Sequence, residues 1–472
     1  MTNDIFADRF GLGEELTRRV LARGLAHGGG FCELFAQHRV STDVGFEDGQ
    51  VNRASTSVDL GVGVRVLAGD QTGYAFTEEL TERSLLAAAD TAASIAKGPR
   101  RGTLGELHAV AMPRLYAETP LWADVDPAAK IRFAERVGNA IAAADPAVIK
   151  AGVSFGDEDE AIFVANSEGL RASDTRPMAY LYASCTARRG DRVESNSHSR
   201  AARRGPEMFS GPFLDALAAE AVARTLALFD ARVPPAGELP VVLAPATSGI
   251  LLHEAMGHGF EADFNRKGTS LFCTMLGKRI AERFVTIVDT ALEKGARGAI
   301  AIDDEGTVGQ RTVLVEDGVL VSYLHDRLSA SHYDVARTGN GRRESFRCVP
   351  LPRMRVTTME NGPHDPEEIV RSVKRGLYAV DFSNGEVDIG GGDYSFYVKS
   401  GFLIEDGRLT APVKDVNLIG NGPDSLAKIE MVGNDKAIDP GTWTCGKDGQ
   451  SVPVGLGLPT IKVRAITIGG VN

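Results

Sequence analysis

The sequence predicts an α+β protein with an α/β N-terminal half and a mainly β C-terminal domain. Three observations carry this. Ala-rich amphipathic helices alternate with β-like runs up to residue 231. A Pro- and Gly-punctuated stretch, Arg232 to Pro240, then interrupts the pattern. Beyond it, short apolar runs split by Gly, Asp-Gly and Asn-Gly replace the helices. The expected division is 1–231, itself divisible into 1–110 and 120–231, followed by 240–472.

Residues 12–27 repeat apolar positions at helical spacing, and Gly28-Gly29-Gly30 stops them. Phe31 to Val40 reads as a strand. Asp48-Gly49 is a hairpin pair, and Val58 to Leu67 alternates like its partner strand, with a turn at Gly69-Asp70. A helix is expected over Thr77 to Lys97, capped at Thr77, and another over Pro127 to Ala144. Four strands follow, Val148–Phe155, Glu160–Asn166, Leu170–Arg176 and Ala179–Arg188, with turns at 157–159 and 167–169. Asp215 to Asp230 is a further helix. In the C-terminal domain, strands are expected at 298–303, 312–316, 319–324, 402–405 and 461–468. Asp317-Gly318 and Asp406-Gly407 are its hairpin turns. One helix, about Thr247 to Glu261, is capped by Thr247 or Ser248.

The 472 residues carry a net charge of −11, which disfavours a sequence-independent grip on nucleic acid. Five Cys scattered along the chain are too sparse and odd in number for a disulfide framework and read as reduced thiols. The stretch Leu239 to His253 is too short and too polar to cross a bilayer, and the N-terminus has no apolar leader. These features point to a cytoplasmic protein without a membrane or nucleic-acid partner.

Within the 247–261 helix lies His253-Glu254-Ala255-Met256-Gly257-His258. Two imidazoles flanking a carboxylate suit a transition metal with an adjacent proton acceptor. The familiar spacing is H-E-x-x-H, which puts the imidazoles about 40° apart around a helix. Here the pair is five residues apart, about 140° on a regular helix, so an undistorted helix cannot present both to one ion. Gly257 and Gly259 flank His258 and permit a π-like bulge that brings it back toward His253. Spacing alone leaves open a second reading, two core histidines beside a surface Glu.

The run His253 to Asp263, continuing to Thr269, resembles the signature of the TldD subgroup of the TldD/PmbA metalloproteases. Further blocks match: Ile302–Gly306, Gln310–Leu314, Tyr323–Leu328, Gly339–Glu344, Gly376–Tyr378, Leu418–Gly422, Met431–Asn434 and Cys445–Gly455. Val44–Val51 and Gly61–Tyr74 fit more loosely. The resemblance implies a zinc peptidase acting on unfolded or extended peptides. His253, His258 and Cys445 would be the metal ligands and Glu254 the general base of a metal-activated water. It also implies a heterodimer with a PmbA/TldE-type paralogue, a homodimer remaining open, and roles in maturing modified peptides and turning over small proteins. Two His and one thiolate leave a fourth position for water, so the set is chemically coherent. A Gly-flanked polar loop around Cys445 is expected to expose it, with Lys447 favouring the thiolate. Cys32, Cys185, Cys273 and Cys348 read as packing thiols.

Other features have plainer readings. Asp303-Asp304-Glu305 is expected to be a solvated turn rather than a cation site. Arg342-Arg343 is either a grip on a substrate carboxylate or a surface charge pair. His325 and His332 read as structural or supporting residues. Gly390-Gly391-Gly392 is either a loop beside the substrate or an ordinary turn. The competing functions are a non-catalytic partner-binding regulator with a vestigial site, which should have lost a member of the set, and a small-molecule zinc amidase, which would need a closed pocket.

Overall fold

The computed structural model describes residues 5–99, 102–116 and 120–470. Its N-terminal half is built on one antiparallel sheet. Phe31–Glu47 lies at its centre, paired with Gln50–Ala68 on one side and Val148–Asn166 on the other. Gln71–Thr77 extends one side; Leu170–Arg189 and Arg192–Ala202 extend the other. Asp48 and Gly49 both have positive φ (48° and 84°), the geometry a two-residue hairpin requires. Helices Glu14–Gly24 and Glu82–Ile95 cover one end of the sheet, burying Val20, Leu21, Leu85 and Ala89 against Leu34, Val64 and Phe163. Pro127–Ala144 and Gly211–Ala227 cover the other end around Trp122, Phe155 and Phe209.

Several expected elements shift for identifiable reasons. Thr77 ends a strand instead of capping a helix; Thr81 is the cap, its hydroxyl accepting from Ser84 N at 3.2 Å. The four strands expected after residue 148 are two long ones, and only the 167–169 turn exists. Residues 157–159 stay in the strand because their charges are matched: Lys130 lies 2.9 Å from Asp157, and Asp159 accepts from Ala123 N. The 298–303 run forms only an isolated bridge at Ile302, and Val319–Leu320 is the paired part of 319–324.

The C-terminal half contains a ring of strands. Arg375–Val387, Gly237–Leu243, Ile461–Gly470, Val416–Asn421 and Asp393–Glu405 pair in that order, and the last pairs back onto the first. Closure removes free edges from these five strands. A second sheet runs Val319–Leu320, Arg311–Glu316, Ile287–Thr290, Val356–Met359, Gly455–Leu458, Ala437–Ile438. Between ring and sheet sits the segment 249–260, its Ile250, Leu251, Met256 and Phe260 buried among Val241, Leu243, Leu377 and Met354.

The two halves meet through a buried ion network. Arg65 lies 2.6 Å from Glu305 and 3.0 Å from Glu33, Arg343 lies 2.6 Å from Glu33, and Arg176 lies 2.8 Å from Asp304. This corrects two expectations. Residues 303–305 are not a solvated turn: all three are buried, and Asp303 accepts from the backbone N–H of Glu305, Thr307 and Gly341. Arg342 and Arg343 are not a surface pair; both are buried, and Arg342 donates to the carbonyls of Met354 and Pro453. The sequence offers no sign of this because the ion pairs join residues from 32 to 310 positions apart. Among the described residues, no helix is long and apolar enough to cross a membrane.

Candidate metal centre

The helical segment changes pitch where the two histidines require it. One α-turn, Gly249–Leu252, passes into a π-turn, His253–Gly257, and then into a 3₁₀ turn, His258–Phe260. The N–H of His258 donates to the carbonyl of His253, five residues back. That bond adds a residue to the turn and stacks the side chains at 253 and 258 on one side. The rings stand 5.1 Å apart, nearly perpendicular. Two glycines allow the close packing that holds the wide turn. A Cβ at Gly257 would lie 2.2 Å from the Met354 sulfur, and one at Gly422 would lie 1.9 Å from the Ala255 carbonyl oxygen. The expected hydroxyl cap is absent: Ser248 donates to the Ala244 carbonyl and Thr247 to Asp439 at 2.8 Å.

Cys445 arrives from a hairpin, Thr444–Lys447 paired with Gln450–Pro453, turned at Asp448 and Gly449 with φ of 49° and 72°. Its sulfur lies 3.4 Å from Nε2 of His258. One ligating atom from each of His253, His258 and Cys445 fits within 4.8 Å of the others, and all three residues are buried. Both ring nitrogens of His253 are buried without a hydrogen-bond partner. Such groups are costly to bury, and an ion coordinated on Nε2 or Nδ1 is one way of satisfying them. The donor set of two imidazoles and one thiolate suits zinc.

Cys445 is not in an exposed loop, as the flanking glycines suggested; it is 1% exposed in a hairpin strand. Nor is its thiol tuned by Lys447, whose ammonium lies 2.7 Å from Asp263 and 3.1 Å from Glu261. Burial pushes the Cys445 thiol up, but the neighbouring His258 and His253 outweigh it and hold it well below its ordinary value. Burial opposes charge on His258, yet Glu261 and Cys445 raise it well above the usual imidazole range. Glu261 accepts on Oε2 from His258 Nδ1 at 2.9 Å, which turns Nε2 toward the sulfur. Burial raises the Glu261 carboxyl, but Lys447 and His258 bring it down to about 2. Glu261 and Asp263 were not singled out in the sequence. The available signal was a carboxylate three residues after His258, the spacing that meets on a helical face.

Glu254 keeps 21% of its side chain exposed, with Oε2 3.7 Å from Nε2 of His258. The other candidates lie elsewhere. His325 is buried against Tyr323 and Tyr333, burial pushing it down to about 4, and His332 is exposed. Gly390–Gly392 is the turn joining Arg375–Val387 to Asp393–Glu405; Gly392 accepts from Gly422 N at 2.8 Å. Cys32 and Cys185 are buried, while Cys273 and Cys348 are partly exposed.

Comparison with known proteins follows this geometry. Residues 32–96, 120–229 and 236–470 match the PmbA/TldA metallopeptidase domain 1, central domain and C-terminal domain. A Metalloprotease TldD homolog of Buchnera aphidicola is 36% identical over 97% of this chain and 94% of its own length. One from Haemophilus influenzae is 37% identical over 94% and 93%. A Zinc metalloprotease TldD homolog of Saccharolobus solfataricus is 28% identical over 94% and 97%. Among solved structures, a Thermotoga maritima protein has a TM-score of 0.80 at 20% identity, covering 97% of this chain and all of that one. TldE from Thermococcus kodakarensis has a TM-score of 0.77 at 19% identity, covering 96% of this chain and all of that one. At these identities the solved structures speak for the fold.

Proposed function

The chain belongs to the PmbA/TldD metallopeptidase family and to its TldD type, and from that premise we propose that it is a zinc-dependent peptidase. One observation carries the reading: the buried His253, His258 and Cys445, with ligating atoms within 4.8 Å and both nitrogens of His253 unpartnered. These three residues would hold the ion. Bound there, zinc supplies Lewis acidity and lowers the pKa of a coordinated water toward about 7.

The chain's own groups do the rest. Glu261 fixes the His258 ring through Nδ1, and Lys447 neutralises Glu261 so that the buried carboxylate keeps its charge. Glu254, less buried than the ligands, takes a proton on its carboxylate from the attacking water and returns it to the leaving amine nitrogen. The Met354, Phe260 and Leu252 packing beneath the π-turn keeps both imidazoles from swinging away. The proposed substrate is a peptide in extended form, the proposed compartment the cytoplasm, and the proposed partner a PmbA/TldE-type paralogue, with a homodimer as the alternative assembly.

The test is hydrolysis of a carboxymethylated, unfolded protein against its folded parent, assayed alone and with the paralogue. Cleavage restricted to the unfolded form, and lost in Glu254→Gln, is expected. Zinc-loaded protein that cleaves neither form under either condition would overturn the peptidase reading.

A further inference from the structure

A cleft of about 940 Å³ separates strand Arg192–Ala202 of the N-terminal half from the hairpin of Arg375–Val387 and Asp393–Glu405. Thr444 lines it, next in sequence to Cys445, and so does Thr247, at the start of the segment that carries His253. Of its four acidic groups, Asp415 meets the Tyr397 hydroxyl and the other three are matched as well. Asp381 is ion-paired with Arg224, Glu194 lies 2.8 Å from Lys414, and Asp439 accepts from Thr247 Oγ1 and Gly441 N.

Its cations are not all matched. Among the described residues, Arg200 and Lys399 have no carboxylate within ion-pairing distance. Arg200 donates to the carbonyl of Ser199, and Lys399 donates to Ser197 Oγ at 2.6 Å. Near both, on Arg192–Ala202, is His198, 7% exposed, with Nε2 buried and unpartnered. Burial and the surrounding Arg224, Arg200 and Lys399 push this imidazole down to about 3. Two half-buried cations and a neutral ring with a free nitrogen form a set of donors for one anion. A volume of about 940 Å³ has room for several peptide residues, while a bare inorganic anion would leave most of it unfilled.

We infer that this cleft is a carboxylate-binding subsite for the peptide substrate, with Arg200 and Lys399 as its charge partners and His198 Nε2–H as a third donor. The inference rests on the peptidase reading and names its substrate class: peptides bearing a carboxylate, at the C-terminus or on a side chain, along the part held away from the metal centre. The subsite supplies binding energy and leaves the metal ligands untouched.

The probe is an unstructured decapeptide labelled with an uncharged BODIPY fluorophore, in three forms: the free acid, the C-terminal amide, and the amide with one internal Glu. Binding is read by anisotropy on the Glu254→Gln protein, and hydrolysis on the otherwise unaltered enzyme. Affinity for at least one acidic form is expected to exceed that of the neutral amide by about 10- to 100-fold. The form preferred tells whether a C-terminal or a side-chain carboxylate is recognised. Lys399→Met and Arg200→Met should each remove most of that preference while leaving the neutral amide and the zinc content unchanged. Lys399→Glu should favour a Lys-bearing peptide. Equal binding of all three forms, or an acid preference that survives both Met substitutions in proteins with wild-type melting, would overturn the subsite. Carboxylate binding without hydrolysis by the zinc-loaded enzyme would overturn the peptidase reading and leave the subsite standing.

Discussion

Two buried clusters of charge lie within this molecule, and they are built to opposite rules. In the network between the halves, every carboxylate oxygen of Glu33, Asp304 and Glu305 accepts from a partner: Arg343, Arg65, Arg176, or the backbone N–H of Arg327 and Arg343. In the cluster around His253, Oε2 of Glu261 and Oδ1 of Asp263 meet Lys447 and His258, but Oε1 of Glu261 and Oδ2 of Asp263 are buried without a hydrogen-bond partner. Inside it, His253 has no partner on either nitrogen. Carboxylates saturated by cations and N–H donors join elements; a buried cluster that keeps acceptor oxygens and both nitrogens of one ring open is arranged to receive something. Burial and charge alone do not separate the two cases. The accounting of acceptor lone pairs does.

The comparison breaks most visibly at Cys445. Cys445→Ala is expected to abolish metal retention and reduce peptidase activity to background, with the melting temperature of the metal-free forms little changed. Loss of folding instead would place Cys445 with the structural network. The reciprocal change is Arg65→Met, which strands one carboxylate oxygen each of Glu305 and Glu33. Breaking a buried pair costs about 3–5 kcal/mol, so denaturant melts should shift strongly while metal per folded chain stays constant. Glu261→Gln probes the shell that resembles the network yet serves the site. A weakening of metal affinity of about 10- to 100-fold, measured by chelator competition, is expected.

The smallest effect is on pH dependence. Burial and then Glu305 push the Asp303 carboxyl up to about 7. The folded state therefore holds a proton that the unfolded chain releases near pH 4. Asp303's contribution to stability must fall as pH rises from about 4 to about 7. Asp303→Asn is expected to be less stable overall, because its amide cannot accept from both Thr307 and Gly341. Its melting temperature should nevertheless vary less across that window. An unchanged slope would remove Asp303 from the pH response.

What could be read from the sequence follows from the range of the interactions. The π-turn was legible because its causes are local: a spacing of five and glycines beside His258. The Asp-Gly hairpins at 48, 317 and 406 were legible for the same reason, since each turn needs positive φ at two adjacent residues. The setting of Cys445 was misread because Gly446 suggested a loop, whereas Arg353 and the hairpin partner at Val452 bury that strand. Residues 157–159 read as a turn between strands and 303–305 as a solvated turn. Asp157, Asp159 and residues 303–305 are buried because cations and N–H donors elsewhere in the chain meet them, Lys130 at Asp157, Arg176 at Asp304 and Gly341 N at Asp303. Family resemblance supplied Cys445 where periodicity could not choose among five thiols.

The central claim is that His253, His258 and Cys445 form one zinc site served by Glu254. Its most direct test is elemental analysis of protein purified without chelator, beside peptidase assays with the paralogue present, for wild type, Glu254→Ala and His253→Ala. The account predicts about one zinc per chain in wild type and in Glu254→Ala, little in His253→Ala, and hydrolysis by wild type alone. Zinc-free wild type, or full activity in Glu254→Ala, would contradict it.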